Sequence, residues 1–146
     1  MKLVFANADY WTALLNPCDR LHFKAQAISE SLAPVYIVTS EAILIKLFSD
    51  FSQKGESFQR AASALSETLF NHPNTSVVSQ TSPQFQQGIS LHRQRLNQAW
   101  SLTDCVSFKI METQGITEAL TSSCYFEQAG FVALLREQLE DASDAI

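Results

Sequence analysis

Several acidic and polar side chains in this sequence lie where a predicted strand ends or a predicted helix begins. Glu41 and Asp104 each fall in the first turn of a predicted helix. A carboxylate there stabilises the helix by ~0.3–1 kcal/mol through the helix dipole, without any further role. A functional role therefore requires that other groups converge on these two residues. The candidates follow the first and fourth predicted strands, and they are Asn7, Asp9 and residues 121–123.

The only basic cluster of the chain is the segment HRQR at residues 92–95, on a predicted helix. Its cations, His92, Arg93 and Arg95, form either a solvated helix face or a contact with RNA phosphates. The three histidines of the sequence share no metal-ligand spacing. The common glycine-rich phosphate-binding motifs do not occur, which argues against a nucleotide-binding loop.

The composition is that of one globular domain: 146 residues, of which 46% are hydrophobic and 17% charged,. Ten Lys and Arg against fifteen Asp and Glu give a net charge of −5. A global positive field for nucleic acid is therefore absent, and any contact with it requires a local patch or a metal. No run reaches the ~18 apolar residues of a membrane span. The three cysteines form no CxxC pair, so we expect reduced thiols and a cytoplasmic protein without membrane contact,.

Short apolar runs alternate along the chain with six segments of helical pattern. This order predicts an α/β fold, with a parallel sheet of about four or five strands and helices on both faces. Ser101 and Asp104 have the spacing of a capping box at the start of the last of these helical segments, and Asp19 can cap the helix that ends before Pro34,. Ligands of such sheets bind beyond the carboxyl ends of the strands. We expect one domain over residues 1–135 and a frayed acidic tail over residues 136–146. The strands are predicted at residues 2–6, 35–38, 75–78, 118–121 and 131–135.

Three stretches carry a resemblance to a known family. The segments SLTDCVSF, GITEALT and FEQAGF, within residues 95–135, resemble the C-terminal half of a PIN domain of the VapC type. Residues 4–25 are similar to the opening of that family, and residues 35–52 to its second segment, in which a Glu opens a helix. The resemblance covers nearly the whole chain. It implies metal-dependent hydrolysis of phosphodiester bonds, usually in RNA, by about four acidic side chains around Mg²⁺ or Mn²⁺.

Residue by residue, the resemblance gives only part of the acidic set of that family. Glu41 and Asp104 match family acids and are implied as the catalytic residues. Asn7 and Ser123 fall where the family has its first and last Asp, so the implied metal site is Asn7, Glu41, Asp104 and Ser123. Asp9 is expected to cap the first helix and to point away from this site.

Two functions are compatible with this pattern. The first is a metal-dependent endoribonuclease of the toxin–antitoxin class with a degenerate site and reduced activity, which acts on RNA and pairs with a small antitoxin protein. The second is a non-catalytic RNA- or protein-binding module on the PIN fold. The missing acids arise either from natural drift or from deliberate replacement of a catalytic Asp. A homodimer is expected in both cases, since isologous dimers are common.

Overall fold

A computed structural model of the protein describes residues 1–136. Five strands and seven helices lie in this part of the chain. The strands are β1 (Lys2–Ala6), β2 (Val35–Ser40), β3 (Thr75–Val78), β4 (Glu118–Leu120) and β5 (Val132–Ala133). The helices are α1 (Ala8–Leu15), α2 (His22–Leu32), α3 (Glu41–Phe51), α4 (Glu56–Asn71), α5 (Ser82–Gln94), α6 (Leu102–Gln114) and α7 (Cys124–Gln128).

The five strands form one parallel sheet in the order β3-β2-β1-β4-β5. Strand β1 is central, and its Phe5 pairs with Val38 on one side and Ala119 on the other. Val4 and Phe5 are fully buried, as expected for a strand that helices cover on both faces,. The predicted α/β fold with a parallel sheet is therefore confirmed. Because the strands are parallel, the residues that follow β1 and β4 meet at one edge.

Side-chain caps fix the starts of the two helices that carry the predicted acids. The Ser40 hydroxyl accepts the Ile43 N–H at the start of α3. Ser101 and Asp104 form a reciprocal capping box at the start of α6, as the sequence predicts,. Asp19, a predicted cap for α2, lies two residues before the N-cap position and accepts the Leu21 N–H instead.

The sequence and the structure differ most near the C-terminal end. Strand β5 has two residues where five are predicted, and the short helix α7 lies where the sequence predicts no helix. Apart from Arg136, the predicted acidic tail lies outside the described residues. Within residues 1–136, no helix is long and apolar enough to cross a membrane.

Candidate functional site at the carboxyl edge of the sheet

A cavity of about 590 Å³ lies at the carboxyl edge of the sheet. Three of the four residues predicted for a metal site line it, namely Asn7 after β1, Asp104 in α6 and Ser123 after β4. The structure thus brings three of these residues to one cavity wall, and their role in binding a metal stays a prediction. The other lining residues come from α1, the α1–α2 loop, α3 and the segments around α6 and α7: Asp9, Thr12, Asp19, Arg20, Leu21, Lys46, Asp50, Ser101, Ser122 and Tyr125.

The hydroxyl of Thr121 is the centre of a hydrogen-bond network beneath the cavity. Thr121 is fully buried directly after β4. Its oxygen accepts the Asn7 side-chain amide at 3.1 Å and the Ser123 backbone N–H at 3.1 Å. Its proton is donated to the Asp9 carboxylate, whose two oxygens both lie 3.0 Å away. This network ties the end of β1 to the end of β4.

Asp9 lies in the cavity wall, which corrects the expectation that it points elsewhere. Asn7 holds the N-cap position of α1, and Asp9 falls in the first turn. Besides the Thr121 hydroxyl, the Asp9 carboxylate accepts the backbone N–H of Ser122 at 2.8 Å and its hydroxyl at 2.9 Å. The carboxylate thus has several protein donors. Its role is to hold the β4–α7 segment against α1.

The Asp104 carboxylate also accepts a hydrogen bond from the protein itself. Its Oδ2 atom accepts the Ser101 N–H at 3.0 Å, and its own N–H donates to the Ser101 hydroxyl at 3.0 Å. This is the helix-start role that the sequence offers as the simpler interpretation. The side chain nevertheless lines the cavity, so the two roles coexist in one residue.

Glu41 is not among the residues that line the cavity. Its carboxylate accepts the backbone N–H of Gln80 at 2.6 Å, in the segment between β3 and α5. This contact spans 39 positions of sequence and ties the start of α3 to the next part of the chain. The structure therefore does not place Glu41 with Asn7, Asp104 and Ser123 in the wall of one cavity.

Two basic side chains in the cavity wall were not identified from the sequence. Arg20 comes from the loop between α1 and α2, and Lys46 from the second turn of α3. The Lys46 ammonium lies 3.6 Å from Asp50, one helical turn further along, and is about half exposed. Neither residue belongs to a charge cluster, so the sequence contains no local signal for them. Only the packing of α1, α3 and the intervening loop brings them together.

The described residues contain no complete ligand set for a divalent metal ion. Magnesium takes hard oxygen ligands at about 2.1 Å and is bound in near-octahedral geometry. Among residues 1–136, no three His, Cys, Asp or Glu side chains are arranged to hold a metal ion. Asn7 presents an amide N–H to Thr121. Two cations and four aspartates line the wall, so its formal charge is 2 − 4 = −2; the aspartates are Asp9, Asp19, Asp50 and Asp104. The resemblance implies two further carboxylates, at positions 7 and 123.

The predicted RNA-binding cluster lies away from this cavity. His92 and Arg93 fall in the last turn of α5, and Arg95 is the residue that follows it. All three side chains are exposed, and none lines the cavity. A role of this cluster in RNA binding stays a prediction.

Two ionisable groups close to the site have a shifted pKa. Burial raises the pKa of the Cys105 thiol, and the adjacent charge of Asp104 raises it further,. Burial also raises the pKa of the Tyr10 hydroxyl, and a 2.6 Å hydrogen bond with Ser29 opposes the shift. Both groups therefore stay protonated at neutral pH, and neither supplies a nucleophile or a base.

Comparison with solved structures gives several similar folds. VapC20 of Mycobacterium tuberculosis, a toxin that cleaves the sarcin–ricin loop, matches with a TM-score of 0.79 and 26% identity, over 88% of this chain and 96% of that chain. VapBC2 from Rickettsia felis, bound to a DNA fragment from its promoter, has a TM-score of 0.60 and 10% identity, over 90% and 96% of the two chains. FitAcB from Neisseria gonorrhoeae has a TM-score of 0.59 and 15% identity, over 89% and 94%.

Comparisons with family models and with curated protein sequences find no match. At 10% and 15% identity, the second and third similarities describe the fold alone. The parallel sheet and its flanking helices match the PIN fold of these proteins. The similarity to VapC20 supports a PIN domain of the VapC type.

Proposed function

We propose that this protein is a VapC-type ribonuclease in which the metal-dependent cleavage of RNA is strongly reduced. The proposal is supported by the similarity to VapC20, which covers most of both chains. A fold does not by itself imply an activity, so the argument depends on the site.

The observation that carries the proposal is the position of Asn7 and Ser123 in the cavity beside Asp104. The resemblance implies a carboxylate at both positions. An amide and a hydroxyl lack the negative charge that offsets a divalent cation, so the cavity holds Mg²⁺ or Mn²⁺ weakly. Lys46 in the same wall adds an electrostatic cost to cation binding,.

An assay of RNA cleavage tests this proposal. The protein is incubated with a fluorescent single-stranded RNA and with an RNA hairpin that carries a sarcin–ricin loop, in Mg²⁺, in Mn²⁺ and in EDTA. We expect slow or no cleavage by the unmodified chain. The double variant Asn7→Asp/Ser123→Asp should cleave roughly tenfold faster or more with metal, since completing a ligand shell has effects of that order. Adding Lys46→Gln should raise the rate further.

Two controls make the result specific. Asn97→Asp/Ser79→Asp introduces the same residue types at exposed positions outside the cavity wall and should change nothing. Asp104→Asn in the restored variant should abolish the gain. A restored variant that binds RNA without cutting it would favour the non-catalytic binding module. Rapid cleavage of RNA by the unmodified chain would contradict the claim that the site has strongly reduced activity.

We also propose an antitoxin protein as a partner and a homodimer as the assembled state. The similarity to VapBC2 and FitAcB supports the first. Exposed apolar side chains support both, because Ile45 is 65% and Phe85 42% exposed and the two line one groove. Light scattering should give twice the mass of the chain, and Ile45→Glu/Phe85→Glu should halve it. A monomer at tens of micromolar would refute the homodimer.

A further inference from the structure

Residues 68–103 form an acid-free segment, with no Asp or Glu, although the whole chain has fifteen. The formal charge of this segment is +2, from Arg93 and Arg95. The rest of the chain has eight Lys and Arg against the fifteen acids, a formal charge of −7. Such a charge asymmetry within one chain indicates a surface that contacts a polyanion. The cations of the segment lie close together in the α5–α6 turn, which we define as residues 92–98.

We propose that the α5–α6 turn binds phosphate groups of single-stranded RNA outside the cavity, without a metal ion. This inference rests on the proposed function, because it gives the RNA of that function a second contact with the protein. It adds that the protein holds RNA by a surface separate from the acidic residues of the cavity. Binding of RNA and binding of a metal are then independent of each other.

The cations of the α5–α6 turn are accessible to a ligand. The side chains of His92, Arg93 and Arg95 are all exposed. Neither arginine forms an ion pair with a carboxylate of residues 1–136, whereas five of the eight other Lys and Arg side chains do. A guanidinium presents five N–H donors in a planar fork that matches two phosphate oxygens. Two adjacent guanidinium groups without a carboxylate partner therefore suit successive phosphates of one strand.

Backbone hydrogen bonds fix the course of the α5–α6 turn. The Arg95 N–H donates to the His92 carbonyl at 3.1 Å, and the Gln98 N–H donates to the Arg95 carbonyl at 2.9 Å. Just beyond the turn, the buried Trp100 donates its indole N–H to Gln128 Oε1 at 3.3 Å. The backbone that carries the cations is thus ordered before a ligand arrives, which lowers the entropy cost of binding.

The α5–α6 turn is close enough to the cavity for one RNA strand to contact both. Arg95 precedes Ser101, a residue of the cavity wall, by six positions. An extended chain rises at most ~3.6 Å per residue, so the two Cα atoms are at most about 22 Å apart. At ~3.4 Å per nucleotide along one strand, this distance is about six nucleotides. An RNA of twelve nucleotides is therefore long enough to reach from the turn to the cavity.

The simpler role of these cations is in folding. His92 and Arg93 lie in the last turn of α5, where positive charge stabilises a helix through its dipole,. That role predicts a lower free energy of unfolding when the arginines are removed, and no change in affinity for RNA. The two roles are therefore distinguished by measuring urea denaturation and RNA binding on the same variant.

Fluorescence anisotropy with a fluorescein-labelled 12-nucleotide oligo(U) tests the inference, with all titrations in EDTA. The variant Arg93→Gln/Arg95→Gln should bind about tenfold more weakly than the unmodified chain. The magnitude of its slope of log K against log salt should fall by about 1.4, because each phosphate contact on a single strand contributes ~0.7. Arg93→Lys/Arg95→Lys keeps both charges and should retain most of the affinity. Asp104→Asn, in the cavity, should bind RNA no more weakly than the unmodified chain.

Two further variants control for net charge and for the position of the change. Lys54→Gln/Arg60→Gln removes two exposed cations outside the acid-free segment and should bind RNA as the unmodified chain does. Asn97→Asp/Ser79→Asp adds two carboxylates to the segment and should bind RNA more weakly, so its rate of cleavage is compared at saturating RNA. Unchanged RNA binding in this second variant would contradict a contact at the α5–α6 turn.

The outcomes separate this inference from the proposed function, because binding in EDTA does not depend on cleavage. Unchanged affinity in Arg93→Gln/Arg95→Gln, or an equal loss in Lys54→Gln/Arg60→Gln, would overturn the inference and leave the ribonuclease proposal standing. A loss confined to the arginine variant would support the inference even where no variant cleaves RNA. Displacement of the RNA by a 12-residue polyglutamate peptide at equal concentration would show a site for acidic peptides and would overturn it.

Discussion

The hydroxyl of Thr121 provides a sharp test of how the site is built. Thr121→Val removes that hydroxyl and keeps the shape of the side chain. The change leaves the Asn7 amide and the Ser123 N–H without their acceptor, and it removes one donor from the Asp9 carboxylate. Because Thr121 is fully buried, no water replaces the hydroxyl at the same position,.

The expected cost follows from these three contacts. An unsatisfied buried donor costs about 1–3 kcal/mol, and the Asn7 and Ser123 donors border a cavity whose water relieves part of this, so about 1 kcal/mol each is reasonable. The lost bond to the Asp9 carboxylate adds about 1 kcal/mol, since Ser122 still donates twice to it,. The total is about 3 kcal/mol of the free energy of unfolding. For a chain of 146 residues, this lowers Tm by roughly 10 °C,.

Urea denaturation followed by tryptophan fluorescence and circular dichroism measures this cost. Thr39→Val is a matched control, because Thr39 is equally buried but its hydroxyl has only two partners: it donates to the Ala6 carbonyl at 2.9 Å and accepts the Trp11 indole N–H at 3.4 Å. We expect about 2 kcal/mol for that control, and about 1 kcal/mol for Thr121→Ser, which keeps the hydroxyl and loses one methyl group. Equal costs for the two Thr→Val variants would refute the network, as would a cost below 1 kcal/mol for Thr121→Val.

Three further predictions concern packing, ionisation and charge. In Gly88→Ala the added Cβ lies 2.6 Å from a Val106 methyl, so we expect the free energy of unfolding in urea to fall by about 1–3 kcal/mol,. Val106→Ala in the same chain should recover part of this loss, and no recovery would contradict the contact between α5 and α6. The raised pKa of Cys105 keeps its proton on the folded protein after the unfolded chain has lost it, so the free energy of unfolding should fall as the pH rises above about 9,. The fall should be less steep in Cys105→Ala. Equal dependence on pH in the two proteins, measured by urea denaturation, would exclude this cause. Lys46→Glu, which replaces a cation of the cavity with a carboxylate, should increase the affinity for Mn²⁺ in calorimetric titration, and Lys46→Gln should increase it less,. No change in affinity in either variant would show that Lys46 does not oppose cation binding.

The elements that could be predicted from sequence are those whose signals are local. All five strands were predicted within two residues at each end, because short apolar runs between turn residues indicate buried strands,. The capping box of Ser101 and Asp104 was predicted from a spacing of three residues,. The helix α7 has only five residues and was missed, since a segment of little more than one turn cannot show a repeated apolar spacing,.

The parts of the site that the sequence did not predict depend on distant contacts. Asp9 faces the cavity because hydrogen bonds from Thr121 and Ser122, more than 110 positions away, hold it there. Glu41 meets the Gln80 N–H instead of the cavity, and that geometry is fixed by the segment after β3. Both carboxylates lie in a helix first turn, so their local patterns are alike. Only the packing of the sheet edge distinguishes them.

The network around Thr121 also bears on why residue 7 is Asn. A hydroxyl has one proton, and Thr121 gives it to Asp9. Residue 7 must then donate to the Thr121 oxygen, as the Asn7 amide does at 3.1 Å. An aspartate there would face a lone pair and would repel the carboxylate of Asp9. The amide is thus the better partner at this position, and Lys46 in the same wall acts in the same electrostatic direction. The Thr121 network and Lys46 therefore both suit an amide at position 7, and Asn7→Asp requires the Thr121 hydroxyl to turn from Asp9 toward the new carboxylate.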